Sequence, residues 1–67
     1  MESKLETKEF TLKFVDVGFD GTVLIDTENN AYYLIDPEPE LEDEIGNTIK
    51  VTFRNEFGTN VIQTIWY

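Results

Sequence analysis

A chain of 67 residues with 14 acids, five bases, no cysteine and no histidine makes one small domain. It has neither disulfide nor thiolate–metal site to staple it, and at this length folding hides only about 60% of the chain's surface. The core must therefore come from aliphatic residues together with five phenylalanines, three tyrosines and one tryptophan. The net charge of −9 repels phosphate backbones and anionic membranes; it confers solubility or, in the sharper reading, suits a basic partner.

Taken from the start, residues 1–8 are polar and charged, without the apolar run of a signal peptide or a membrane span. They read as a flexible tail, residues 9–67 as a single β domain, and the location as cytoplasmic. Glu9–Val17 alternates with period two through Phe10, Leu12 and Phe14. It then changes phase at Val15 and Val17, which calls for a bulge or bend near Phe14–Val15. Gly18–Gly21 is a turn. Thr22–Asp26 and Ala31–Ile35 form an antiparallel hairpin across Thr27–Asn30, whose residues tolerate left-handed backbone.

Asp36–Gly46 is the acidic segment, with six carboxylates and both prolines. Pro39 suits a first helical position and Gly46 the place just past a helix end, so one or two turns, α or 3₁₀ in type, are expected, with a loop as the alternative. Leu41 and Ile45, four apart, would then both face the core. Thr48–Arg54 alternates cleanly through Ile49, Val51 and Phe53. Asn55–Gly58 is a turn and Thr59–Tyr67 the last strand. The expected core is Phe10, Leu12, Phe14, Val23, Ile25, Tyr33, Ile35, Leu41, Ile49, Val51, Phe53, Val61 and Ile65.

Three strands, a short helix and a final hairpin is the order of the OB-fold, a five-stranded Greek-key barrel. Gly21–Asp26 with Tyr32–Ile35 resembles the second and third strands of small OB-like barrels, and Ile45–Phe53 resembles the entry to the fourth. An SH3-like barrel is the alternative, disfavoured because four residues do the work of its usual long first loop. The resemblance implies a shape and no function. OB-folds that bind single-stranded nucleic acid use basic grooves and stacking aromatics. Here Lys13, Lys50 and Arg54 are the bases outside the tail, so nucleic acid is the alternative partner and not the first.

Catalysis has little to draw on. Ser3 is the sole serine and there is no His or Cys to activate a nucleophile. Asp16, Asp20 and Asp26 lie near one expected barrel edge, but a domain this small has no deep cleft to desolvate one of them. No enzymatic activity is expected. The alternating acids from Asp36 to Glu44 do not make an EF-hand: counted from Asp36, the glycine and glutamate positions fall on Leu41 and Asn47. No metal or cofactor is expected.

What the composition suits is protein binding; besides the nucleic-acid module, the alternative is an accessory domain of unknown role whose acidity only confers solubility. In size and charge the chain resembles small acidic inhibitors made by phages, anti-CRISPR proteins among them, which occupy basic nucleic-acid-binding surfaces. The residues expected to carry contact are Asp36, Glu38, Glu40, Glu42, Asp43 and Glu44, with Phe19 and Asp20 in the first turn and Glu56 and Phe57 in the last. The two phenylalanines are either exposed contact tips at one rim or rings folded back as caps on the barrel ends.

Overall fold

The computed structural model describes residues 4–67. Five strands, β1 (Leu5–Val17), β2 (Thr22–Asp26), β3 (Ala31–Leu34), β4 (Thr48–Glu56) and β5 (Thr59–Trp66), close into a barrel in the order β1-β2-β3-β5-β4. Every pairing is antiparallel except β3 with β5, which is parallel and spans only Tyr32–Asn60 and Tyr33–Val61. A 3₁₀ helix, Pro39–Glu44, lies between β3 and β4. This is the expected OB-like Greek-key barrel, with its short helix in the expected place.

The first strand begins earlier than its sequence suggests. Leu5–Lys8, expected as tail, pairs with Arg54–Val51 of β4; residues 1–3 lie outside the described residues. Alternation hid this stretch because Glu6 and Lys8, polar residues, share the phase of buried Phe10; Glu6 is exposed and Lys8 partly so.

Two bulges set which residues face inward. Between Leu12 and Phe14, β1 gains one residue on β2, so Leu12 and Val15 both point into the core and Phe14 points out, 54% exposed. The phase change is thus absorbed as expected, but Phe14 falls on its outer side. A second bulge gives β5 an extra residue opposite Thr52–Phe53. It buries Ile62 in place of the expected Val61 and keeps Ile65 packed against the core.

The core contains Phe10, Leu12, Leu41, Ile49, Val51 and Phe53 as expected. In β2 and β3 the faces are reversed: Leu24, Tyr32 and Leu34 are buried, whereas Val23, Ile25 and Tyr33 face out and Ile35 lies beyond the strand end. Both faces of these strands are apolar, so hydrophobicity does not choose between them. The buried polar residues do. Thr22 and Asp26 share the phase of Leu24, and each is fully bonded inside: Thr22 Oγ1 donates to the Asp36 carbonyl (3.0 Å) and accepts from the Glu38 amide (2.9 Å). Tyr32 stacks on Phe10, centroids 4.5 Å apart, and meets Phe53 edge-on at 5.3 Å.

Leu41 closes one end of the barrel and is completely buried. Ile45 is not: it is 45% exposed, because at three residues per turn a 3₁₀ helix rotates position i+4 away from i. Leu41→Ala should destabilise the fold by about 2–3 kcal/mol, the low end for such a truncation, since so short a helix can settle into the space it leaves. Urea unfolding measures this; an unchanged midpoint would mean that Leu41 does not seal the barrel.

Candidate protein-interaction face

The reversed phase of β2 and β3 leaves an apolar outer surface. Strand register puts Phe14, Ile25 and Ala31 in one row across it, and Asp16, Val23, Tyr33, Val61 and Arg54 in the next. Neighbours in such a row have Cβ atoms about 5 Å apart. Tyr33 is fixed in place: its hydroxyl donates to the Asp20 carbonyl at 2.8 Å. Gly21 makes that approach possible, because a Cβ there would collide with the Leu34 carbonyl and lie 2.8 Å from the Tyr33 hydroxyl.

At one end of this face is the β4–β5 turn. Phe57 and Gly58 are its two central residues, and both have positive φ, +53° and +85°. That is the signature of a type I′ hairpin, which favours Asn-Gly. A phenylalanine in left-handed backbone costs roughly 1–2 kcal/mol, and its ring recovers nothing within the fold, being fully exposed. Polar bonds hold the turn rigid. Asn55 Oδ1 accepts from the Gly58 amide (3.2 Å), Asn55 Nδ2 donates to Asn60 Oδ1 (3.0 Å), and Asn60 Nδ2 donates to the Ala31 carbonyl (3.2 Å). Between this turn and β3 lies an open cleft of about 270 Å³ whose walls include Val23, Ala31, Tyr33, Gly58, Thr59 and Asn60.

At the other end is the β1–β2 turn, closed by the Gly18 amide on the Gly21 carbonyl (2.8 Å). Phe19 projects from it, also fully exposed. Neither phenylalanine folds back to cap the barrel. Nor do they share one rim: Phe19 stands beside the Leu34 end of β3 and Phe57 beside its Ala31 end, so the two tips bracket a four-residue strand about 10 Å long.

The acidic segment belongs to the Phe19 end. Thr22 ties Asp36 and Glu38 to the start of β2, beside Asp20. Asp36, Glu40, Glu42 and Asp43 are exposed, and Glu38 and Glu44 partly so. Glu38 and Glu40 titrate as a pair: Glu40, foremost, pushes the Glu38 carboxyl above its ordinary value, while the bond with Glu38 holds Glu40 below its own. Tyr67 donates to Glu40 at 3.3 Å and to Glu38 at 3.5 Å. The expected contact residues therefore fall into two groups. Phe19, Asp20 and the acidic segment form one, Glu56 and Phe57 the other, and the apolar face joins them. That face was hidden in the sequence by the wrong choice of phase, although the unbroken runs Val23–Ile25 and Tyr32–Ile35 signal strands apolar on both sides.

Asp16, Asp20 and Asp26 are not brought together. Asp16 lies on the outer face, Asp20 in the first turn, and Asp26 is buried at the far end of β2. Asp26 accepts four hydrogen bonds: Oδ1 from the amides of Glu28 (2.9 Å) and Asn30 (2.8 Å), and Oδ2 from Asn30 Nδ2 (3.2 Å) and the Tyr32 hydroxyl (3.1 Å). Lys8 Nζ approaches to 3.9 Å. Burial alone would raise this carboxyl, but the bonds outweigh it and hold Asp26 below the ordinary carboxylate value. Burial raises the Tyr32 hydroxyl. The three bases outside the tail each have their own neighbours. Lys13 donates to Asn29 Oδ1 at 2.9 Å, Lys50 lies opposite Glu9 and over the Trp66 ring at 5.5 Å, and Arg54 neighbours Val61.

Among the described residues no group of three or more acidic side chains is placed to hold a metal ion, and no helix is long and apolar enough to cross a membrane. No protein-family model matches the chain, and neither does any curated protein or solved structure. Fold and face together define a small OB-like barrel with an apolar outer surface between two aromatic tips.

Proposed function

We propose that this is a small, non-enzymatic, cytoplasmic protein-binding module that presses the β2–β3 face and its two phenylalanine tips onto a partner, with its carboxylates matched to a basic surface. The observation that carries the reading is Phe57, fully exposed and held in left-handed backbone. Strain of this kind, unrewarded inside the fold, collects at functional sites. An aromatic anchor with charged surroundings suits the centre of an interface. A basic surface that would otherwise hold nucleic acid is the natural target of a chain with net charge −9, which makes inhibition by occupancy, as in phage-encoded nucleic-acid mimics, the biological form we favour.

Single-stranded nucleic acid is the second reading. It is favoured by Tyr33 and Phe14, rings on the outer face of the barrel where bases could stack. The charge opposes it.

Replacing Glu40, Glu42, Asp43 and Glu44 together by their amides should slow association with a partner captured from host lysate about tenfold or more at low salt, while leaving the melting temperature nearly unchanged. Wild-type binding should weaken steeply as salt rises. Equal association rates for variant and wild type would remove the acidic segment from the mechanism. Tight binding of single-stranded DNA or RNA in a gel shift at physiological salt would favour the second reading instead.

A further inference from the structure

We propose that the cleft between β3 and the β4–β5 turn is a pocket for one arginine side chain of the protein partner; the inference rests on the protein-binding reading and names what the partner must present. The cleft, about 270 Å³, is smaller than pockets that enclose a drug-sized ligand and suits a single long side chain. Its floor is apolar, with Val23 and Ala31 to receive an aliphatic stem. Tyr33 supplies a ring whose position is already fixed by the bond to the Asp20 carbonyl, so little side-chain freedom is lost on binding. A guanidinium is planar and weakly hydrated and stacks on such a ring better than an ammonium does.

Charge completes the match. Asp16 is the cross-strand neighbour of Val23, and Glu56 of Thr59, so an acidic residue adjoins the lining at each of these two positions. Both are exposed, and neither forms a salt bridge among the described residues. Arg54 stands further along the row, beyond Val61. The carboxylates disfavour a nucleotide phosphate, and net charge −9 disfavours a second copy of this chain. A cationic side chain satisfies both the apolar floor and the carboxylates that neighbour the lining residues.

The test is a two-dimensional ¹⁵N NMR titration of the intact protein with the capped peptide acetyl-Gly-Arg-Gly-amide, and with peptides carrying norleucine or glutamate in the centre. The arginine peptide should give saturable shifts at the amides of Val23, Ala31, Tyr33 and Gly58–Asn60. The norleucine peptide should bind about tenfold more weakly, having the stem without the cation, and the glutamate peptide not at all. The exposed double change Asp16→Asn with Glu56→Gln should weaken the arginine peptide and leave the norleucine peptide unaffected. Equal shifts from arginine and norleucine, or arginine shifts confined to Pro39–Glu44, would overturn the pocket. The latter result would leave the basic-partner reading standing, since that reading fails separately if partner association is indifferent to salt.

Discussion

Asp26→Ala is expected to unfold the protein or leave only a broad, low-temperature transition. The carboxylate is 1% exposed and accepts four hydrogen bonds. Without it, the Glu28 and Asn30 amides and the Tyr32 hydroxyl lose their acceptor at once, and the turn that joins β2 to β3 loses its internal anchor. Hydrogen bonds to a charged group contribute more than neutral ones, and the combined loss should be about 3–5 kcal/mol. A 67-residue barrel without disulfides has little more than that in reserve. Asp26→Asn keeps one acceptor oxygen and should fall between. Calorimetry on the three proteins decides the matter; a melting temperature for Asp26→Ala within a few degrees of wild type would mean that the network does not hold the hairpin.

The same carboxylate governs the acid side of the stability profile. Its folded pKa lies below the ordinary value of 3.8, so in acid the unfolded chain binds the proton first. Its contribution is complete above that ordinary value and is lost as pH falls through the depressed one. Tyr32 acts at the other extreme: its folded pKa lies above 10.0, so its contribution is complete below that value and lost as pH rises through the folded one. Asp26→Asn should flatten the acid limb of the melting-temperature profile and weaken the alkaline limb without abolishing it, because burial, foremost, and the Asp26 carboxylate together raise the Tyr32 hydroxyl.

Much of this was legible in the chain. The elements were, because prolines and glycines punctuate them, and so was the seal at Leu41, because one leucine stands alone among acids. The choice of face in β2 and β3 was not. Valine, isoleucine and tyrosine can line either side of a strand, and the deciding residues, Thr22 and Asp26, are polar. A reading based on hydrophobicity places them outside, whereas hydrogen bonds to Asp36, Glu38, Asn30 and Tyr32 hold them inside. The outer apolar face went unseen for the same reason. Leu5–Lys8 was missed because pairing with β4 is a backbone property, and polar Glu6 and Lys8 occupy the phase that Phe10 and Leu12 bury. The two phenylalanines stood out because an aromatic ring in a turn has no local reason to be there. Their separation to opposite ends of β3 depends on the parallel β3–β5 pairing, which spacing along the chain does not reveal.

The most direct measurement of the central claim is a paired one on Phe57→Asn. Asparagine before Gly58 is the preferred sequence for a type I′ turn, so the change relieves left-handed strain and should raise stability by about 1 kcal/mol. The same change removes an aromatic tip from the proposed interface and should weaken partner binding at least about tenfold, or 1.4 kcal/mol. Stability up and affinity down is the result this account predicts. A variant that is more stable and binds as tightly as wild type would contradict it.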